Sequence, residues 1–221
     1  MDALPFTAQL INVFAAVLLL LSFAMLAQRR ILSLVDLLAW QGAALVGSTL
    51  AVAYSTGQQH LYYSAALTLV LKVILVPLVL HRLIRRLAVR WDTEPLLNIP
   101  ATMIVGLALV VFSFGLAQPI SALASTVTRS TLGIAIAVVM LSFLMMITRR
   151  KAISQVIGFL AMENGLFFAA TSATYGMPMV VELGVALDVL VGVVILGIFF
   201  FQIREQFDSL DLHHLERLKE D

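Results

Sequence analysis

Seven times along this chain, a run of roughly twenty residues passes with almost no charge, which is the length a helix needs to cross a hydrocarbon core of about 30 Å. The runs are Thr7–Ala27, Ile31–Tyr54, His60–His81, Pro100–Gln118, Thr131–Ile147, Ala152–Tyr175 and Pro178–Gln202. Polar breaks separate them. Arg29 and Arg30 close the first, 55–59 the second, and Gln118-Pro119 the fourth. Arg149, Arg150 and Lys151 close the fifth, and the turn around Tyr175-Gly-Met-Pro178 divides the last two. In lipid only a helix or a closed barrel satisfies its own backbone. Runs this long are helical, so the expected fold is an all-α polytopic membrane protein with seven transmembrane helices.

Composition agrees. Of 221 residues 61% are apolar and 12% charged, which sets aside the soluble classes. The formal net charge of +1 carries no signal for nucleic acid. Without cysteine there is no disulfide framework, thiolate metal site or iron–sulfur site. The first seven residues lack a basic n-region and a small-residue cleavage site, so the first run reads as a retained helix. No Walker loop, dinucleotide fingerprint or nucleophile elbow occurs, and no catalytic residue or cofactor is expected. His60, His81, His213 and His214 lack metal-ligand spacing with a second histidine and a carboxylate.

The basic residues set the orientation. With the N-terminus outside, the cytoplasmic side receives Arg29, Arg30, Arg82, Arg85, Arg86, Arg90, Arg149, Arg150, Lys151, Arg204, Arg217 and Lys219, and the outside receives Arg129. That is the asymmetry of the positive-inside rule, and it places the C-terminus in the cytoplasm.

The chain also resembles itself. Leu21-Ser-Phe23 before Arg29-Arg30 matches Leu141-Ser-Phe143 before Arg149-Arg150. Trp40-Gln-Gly42 falls near Met162-Glu-Asn164, and Leu71-Lys-Val73 on Leu187-Asp-Val189. Either apolar helices match by chance, or spans one to three are a parallel copy of spans five to seven with the fourth as connector. The second view divides the chain into a three-helix repeat with a basic tail (1–99), a connector helix (100–130), a second three-helix unit (131–203) and a cytoplasmic tail (204–221).

Four charges interrupt the apolar runs at depth. At about 1.5 Å per residue, Glu163 lies roughly 17 Å into the sixth span and Asp188 roughly 15 Å into the seventh from the other side, so both approach the midplane. Lys72 lies about twelve residues into the third span. Intramembrane charges persist only with a partner, a proton or water, and they mark ion and proton pathways. Lys72 has two readings: an ion pair with Asp188 or Glu163 that fixes packing, or a lysine that gives up and takes back a proton. Glu163 and Asp188 divide between protonated hydrogen-bond donors and acids that cycle. Glu182 sits about 120° around the helix from Asp188, so the two share no face; it reads as an entrance group or an inter-subunit contact. Asn164 offers an amide and Gly165 a close helix approach. Asp36, half-solvated, is expected to pair with Arg29 or Arg30. Gln41 falls where Glu163 falls in the repeat, able to hydrogen-bond but not to titrate. His81 reads as an interfacial side chain or an accessory to the relay. Pro77, five residues beyond Lys72, frees a backbone carbonyl near it.

The segments Gly158-Phe-Leu-Ala-Met-Glu163-Asn-Gly165, Val181-Glu-Leu-Gly-Val-Ala-Leu-Asp188 and Leu71-Lys72-Val-Ile-Leu-Val-Pro77-Leu resemble hydrogenase-4 component E, as does the ending Ser209-Leu-Asp-Leu-His-His-Leu-Glu-Arg-Leu. That family comprises membrane subunits of nickel–iron hydrogenase and formate hydrogenlyase complexes. The last three spans are also similar to the K subunit of bacterial complex I and the C subunit of multi-subunit Na+/H+ antiporters, where two neighbouring helices carry one acid each. Glu163 stands for the first acid and Asp188 for the second, with Asp shorter by one methylene than the complex I pattern. The resemblance implies a non-redox subunit in a bacterial or archaeal cytoplasmic (inner) membrane, beside antiporter-like subunits of a hydrogenase assembly. Glu163, Asp188, Lys72 and Glu182 would serve proton translocation there. The alternatives are a purely structural membrane-arm subunit, a subunit of a cation/proton antiporter complex, and a standalone transporter.

Overall fold

The computed structural model describes residues 6–86, 98–121, 126–149, 151–174 and 197. The described residues are all helical apart from short turns. Helix α1 covers Phe6–Ala27, α2 Ile31–Thr56, α3 His60–Thr68, α4 Val76–Arg86, α5 Ile99–Ser121, α6 Thr126–Thr148 and α7 Ala152–Thr174. A π-helical segment, Leu69–Leu75, joins α3 to α4 without a break. Six of the resulting helices are long and apolar enough to cross a membrane, so the chain is a multi-pass membrane protein. Of the expected seventh span, Pro178–Gln202, Gly197 alone is among the described residues. The third helix is longer than expected: it continues beyond His81 to Arg86.

Helix α2 occupies the middle. It packs on α1, on the third helix from α3 through the π segment to α4, and on α7. Helices α6 and α7 form a closely packed pair, with α1 also against α6. Helix α5 lies at the side of the bundle on α6 and α1, and its outer face of Ile104, Leu107, Val111 and Phe112 is exposed. The main apolar core joins Met25 and Leu26 of α1, Leu34 and Leu38 of α2, Leu80 and Ile84 of α4, Leu141 and Met145 of α6 and Ile157 and Leu160 of α7.

The turns and close approaches have local causes. Gly57 ends α2 at φ 67°, where its N–H bonds to Ala53 O at 2.9 Å, and only a residue without Cβ adopts that conformation without strain. At Gly165 a Cβ would stand 2.9 Å from Val138 Cγ1 and 3.1 Å from Val139 Cγ2. The glycine therefore sets the α6–α7 spacing, as expected of small residues between membrane helices. Gly165→Leu is expected to force these helices apart and to cost about 1–3 kcal/mol. Unfolding of the purified protein in detergent reads this directly; a variant as stable as the parent would mean that the spacing is set elsewhere.

The hairpin between α1 and α2 is held from across the bundle. Arg149, 2% exposed at the end of α6, donates from Nη2 to the carbonyls of Leu26 (2.8 Å), Gln28 (2.8 Å) and Met25 (3.3 Å). These carbonyls belong to the end of α1, where a helix leaves its last C=O groups unpaired and its dipole favours a cation. Gln28 completes the turn by accepting Arg29 N–H at 2.9 Å on Oε1. The ends of α1 and α6 thus lie together on one basic face.

Candidate functional site

The π segment creates the setting for Lys72. Pro77 has no N–H, so the bond a regular helix would make to the carbonyl four residues earlier is absent. The chain relaxes into a wider turn, in which Val76 N–H bonds to Leu71 O. Lys72 lies at the middle of this segment. Opposite it, Gly42 of α2 lets the backbones meet: a Cβ there would stand 3.5 Å from Lys72 O and 3.3 Å from Val73 Cγ2. Single π turns within α-helices recur at functional sites because they displace side chains that a regular helix would hold in register.

Lys72 reaches α7. Its Nζ donates to Glu163 Oε1 at 2.7 Å and stands 5.0 Å from the centre of the Phe167 ring. Glu163 and Phe167 are one turn apart on α7, so the ammonium is held between a carboxylate and a π face. Both charged residues are 7% exposed, and Glu163 stands at the midpoint of α7. Of the two partners open to Lys72 in the sequence, the structure brings Glu163 to it. Charges this enclosed need each other, since desolvating either alone is expensive.

A second polar chain runs beside the pair. Asn164 Nδ2 donates to Gln41 Oε1 at 3.2 Å, Gln41 Nε2 donates to Ser22 Oγ at 3.0 Å, and Ser22 Oγ donates to Leu18 O at 2.9 Å. It ties α7 to α2 and α2 to α1 with neutral groups, all buried. Asn164 Oδ1, on the far side of that amide, has no protein partner, nor do the hydroxyls of Ser48 and Ser64. Buried polar atoms of this kind are places for internal water.

Asp36 differs from expectation. It meets neither Arg29 nor Arg30. The third helix crosses α2 at this level, and His81 Nε2 lies 3.4 Å from Asp36 Oδ1. His81 Nδ1 is 2.9 Å from Pro77 O. The expected sites therefore fall into three groups: Lys72 with Glu163, Gln41 with Asn164, and Asp36 with His81. Glu182 and Asp188 lie outside the described residues. The sequence reading missed the π segment, Ser22 and the grip of Arg149 on α1. Pro77 was the signal for the first. Ser22 was visible only as part of a repeated tripeptide. Nothing local marked Arg149 as more than a basic helix end. Among the described residues no group of histidines and carboxylates has metal-binding geometry.

The chain is 32% identical over 212 residues to the uncharacterized protein Rv0085 of Mycobacterium tuberculosis, covering 96% of each chain. It is 28% identical over 163 residues to hydrogenase-4 component E of Escherichia coli K12, covering 73% of this chain and 74% of that protein. The same identity and coverage hold for hydrogenase-4 component E of Shigella flexneri. No protein-family model and no solved structure matches the chain.

Proposed function

The chain belongs to the same family as Rv0085 of Mycobacterium tuberculosis, and from that premise, with its homology to hydrogenase-4 component E, we propose that it is a non-redox membrane-arm subunit of a membrane-bound hydrogenase assembly, carrying part of a proton-translocation relay. The observation that carries the relay is the Lys72–Glu163 pair, two opposite charges 2.7 Å apart at the middle of their helices. A proton leaving Lys72 for Glu163 turns the ion pair into a neutral pair. A change of charge in a neighbouring subunit favours one form over the other, and that difference lets the relay do work.

In this reading the N-terminus faces outward and the Arg-rich face lies in the cytoplasm of a bacterium or archaeon. Seven spans cross the membrane as two parallel triplets and a connector. Asp188 would be the second acid of the relay and Glu182 an entrance group. The redox centres would reside in other subunits, and antiporter-like subunits would be neighbours.

The test replaces both charges together, Lys72→Met with Glu163→Met, so that neither is left alone. The complex is purified through this chain in mild detergent, its partners are identified by mass spectrometry, and its proton movement is followed in vesicles. Co-purification of hydrogenase and antiporter-like subunits, with assembly intact and proton movement lost, is the expected outcome. An assembled double variant that still moves protons would leave the pair as a packing device. A parent chain that purifies alone would remove the membrane-arm reading.

A further inference from the structure

His81 holds a position that the relay alone does not explain. Its Nδ1 is 2.9 Å from the carbonyl of Pro77. A carbonyl can only accept, so Nδ1 carries the hydrogen. In the neutral ring Nε2 is then a bare lone pair, and it faces Asp36 Oδ1 at 3.4 Å. An ionised carboxylate also presents only lone pairs. The two atoms attract when one proton lies between them, as an imidazolium beside a carboxylate or an imidazole beside a carboxylic acid. Asp36 and His81 together are thus built to take one proton.

The pair is open to water where the Lys72–Glu163 pair is not. The Asp36 side chain is 64% exposed and that of His81 28%. Arg82 and Arg85 of the same helix are exposed beside it. Arg30 caps α2 six residues before Asp36. Lys72 is the charged residue of the π segment, and on α7 Glu163 is its partner. Among the described residues Asp36 is the acid within reach of the ring. His81 and Lys72 also share one continuous helix, nine residues apart, or roughly 13 Å along its axis. Pro77 connects the two sites: its carbonyl fixes the tautomer of His81, and its missing N–H opens the π segment around Lys72.

We infer that Asp36 and His81 form the proton-collecting group on the basic face, from which the Lys72–Glu163 pair is loaded. The inference rests on the relay reading above. A proton from bulk solvent, carried as hydronium or by a buffer acid, binds at Nε2 opposite Asp36. It leaves from the same atom, because Nδ1 is committed to Pro77. It passes inward along water to the buried pair, and the ring returns to its Nδ1–H form with no other bond made or broken.

The test uses the intact complex in vesicles, with proton uptake from the basic face measured at alkaline pH, where free protons are scarce. His81→Ala and Asp36→Asn are each expected to slow uptake, by about a hundredfold for a positioned proton-transfer group. Added imidazole, a small diffusible proton carrier, should restore the rate in both. His81→Gln retains side-chain bulk and should behave as His81→Ala does, which covers a failure of the alanine variant to assemble. Unchanged uptake in these variants would overturn the inference. Slowed uptake that imidazole does not restore would also overturn it, since a packing defect has no reason to respond to a buffer. The Lys72→Met, Glu163→Met double variant separates the two readings. If it is inactive with or without imidazole, the relay stands and the port is judged on its own variants; if it moves protons, the relay reading itself has failed.

Discussion

Replacing Glu163 alone by methionine is expected to destabilise the protein by about 3–5 kcal/mol, because it breaks a buried ion pair from one side. The substitution leaves Lys72, 7% exposed, with its charge opposite an apolar side chain. The Phe167 face at 5.0 Å remains, but a cation–π contact contributes about 0.5–2 kcal/mol and does not offset the loss of a buried carboxylate. Lys72→Met alone leaves the carboxylate isolated in the same way and should cost a comparable amount. The double variant should not cost the sum. Two methionines fill a similar space and bring no charge, and exchange of a buried pair for apolar side chains is often close to neutral. A double-mutant cycle on unfolding in mixed micelles should therefore give a coupling energy of several kcal/mol. If the single costs simply add, the two groups do not interact, and the 2.7 Å contact carries no energy. The cycle also explains why the test of function uses the double variant: a single one confounds proton movement with folding.

Much of this site was legible in the sequence, and the reason is the solvent. A membrane allows little but helices, so length and polarity alone gave the six described spans. The sixth was expected from Ala152 to Tyr175 and is found from Ala152 to Thr174. The cost of charge in lipid likewise singled out Lys72 and Glu163. The sequence left open which acid meets Lys72, because pairing depends on the rotation of each helix about its axis, and that is set by contacts such as Gly42 against the Lys72 backbone and Gly165 against Val138. The π segment depends on a missing N–H at Pro77 acting together with the close approach of α2, so no local propensity reports it. The pairing of Gln41 with Asn164 joins residues 123 positions apart. Neutral amides carry no penalty large enough to demand a particular partner. Arg29 and Arg30 are the cations nearest to Asp36 in sequence, while the third helix, packed on α2, brings His81 to it.

Arg149→Ala should be strongly damaging among the described residues outside the membrane interior, and its damage should appear in a different helix. The guanidinium serves three carbonyls at the end of α1. Of their residues, Met25 and Leu26 are almost fully buried. Each carbonyl that water does not reach after the substitution costs about 1–3 kcal/mol. Part of this is recovered, because the charge is held against resistance: burial first, and the like charge of Arg29 second, pull the Arg149 guanidinium below its ordinary proton affinity. Removing it releases that strain but leaves the end of α1 without a cation opposite its dipole. Arg149→Lys keeps the charge and loses the planar fork, so it should fall between the two. Hydrogen exchange locates the effect. Amide protection should drop at the last turn of α1 and at Arg29 and Arg30, whose N–H groups bond to Gln28 Oε1, while protection around Glu163 on α7 stays near the parent level. Uniform loss of protection across the bundle would mean that Arg149 supports the whole fold instead of one hairpin. Proton movement in the assembled complex should persist in Arg149→Lys, since the clamp lies at a helix end and the proposed relay at the middle of the bundle.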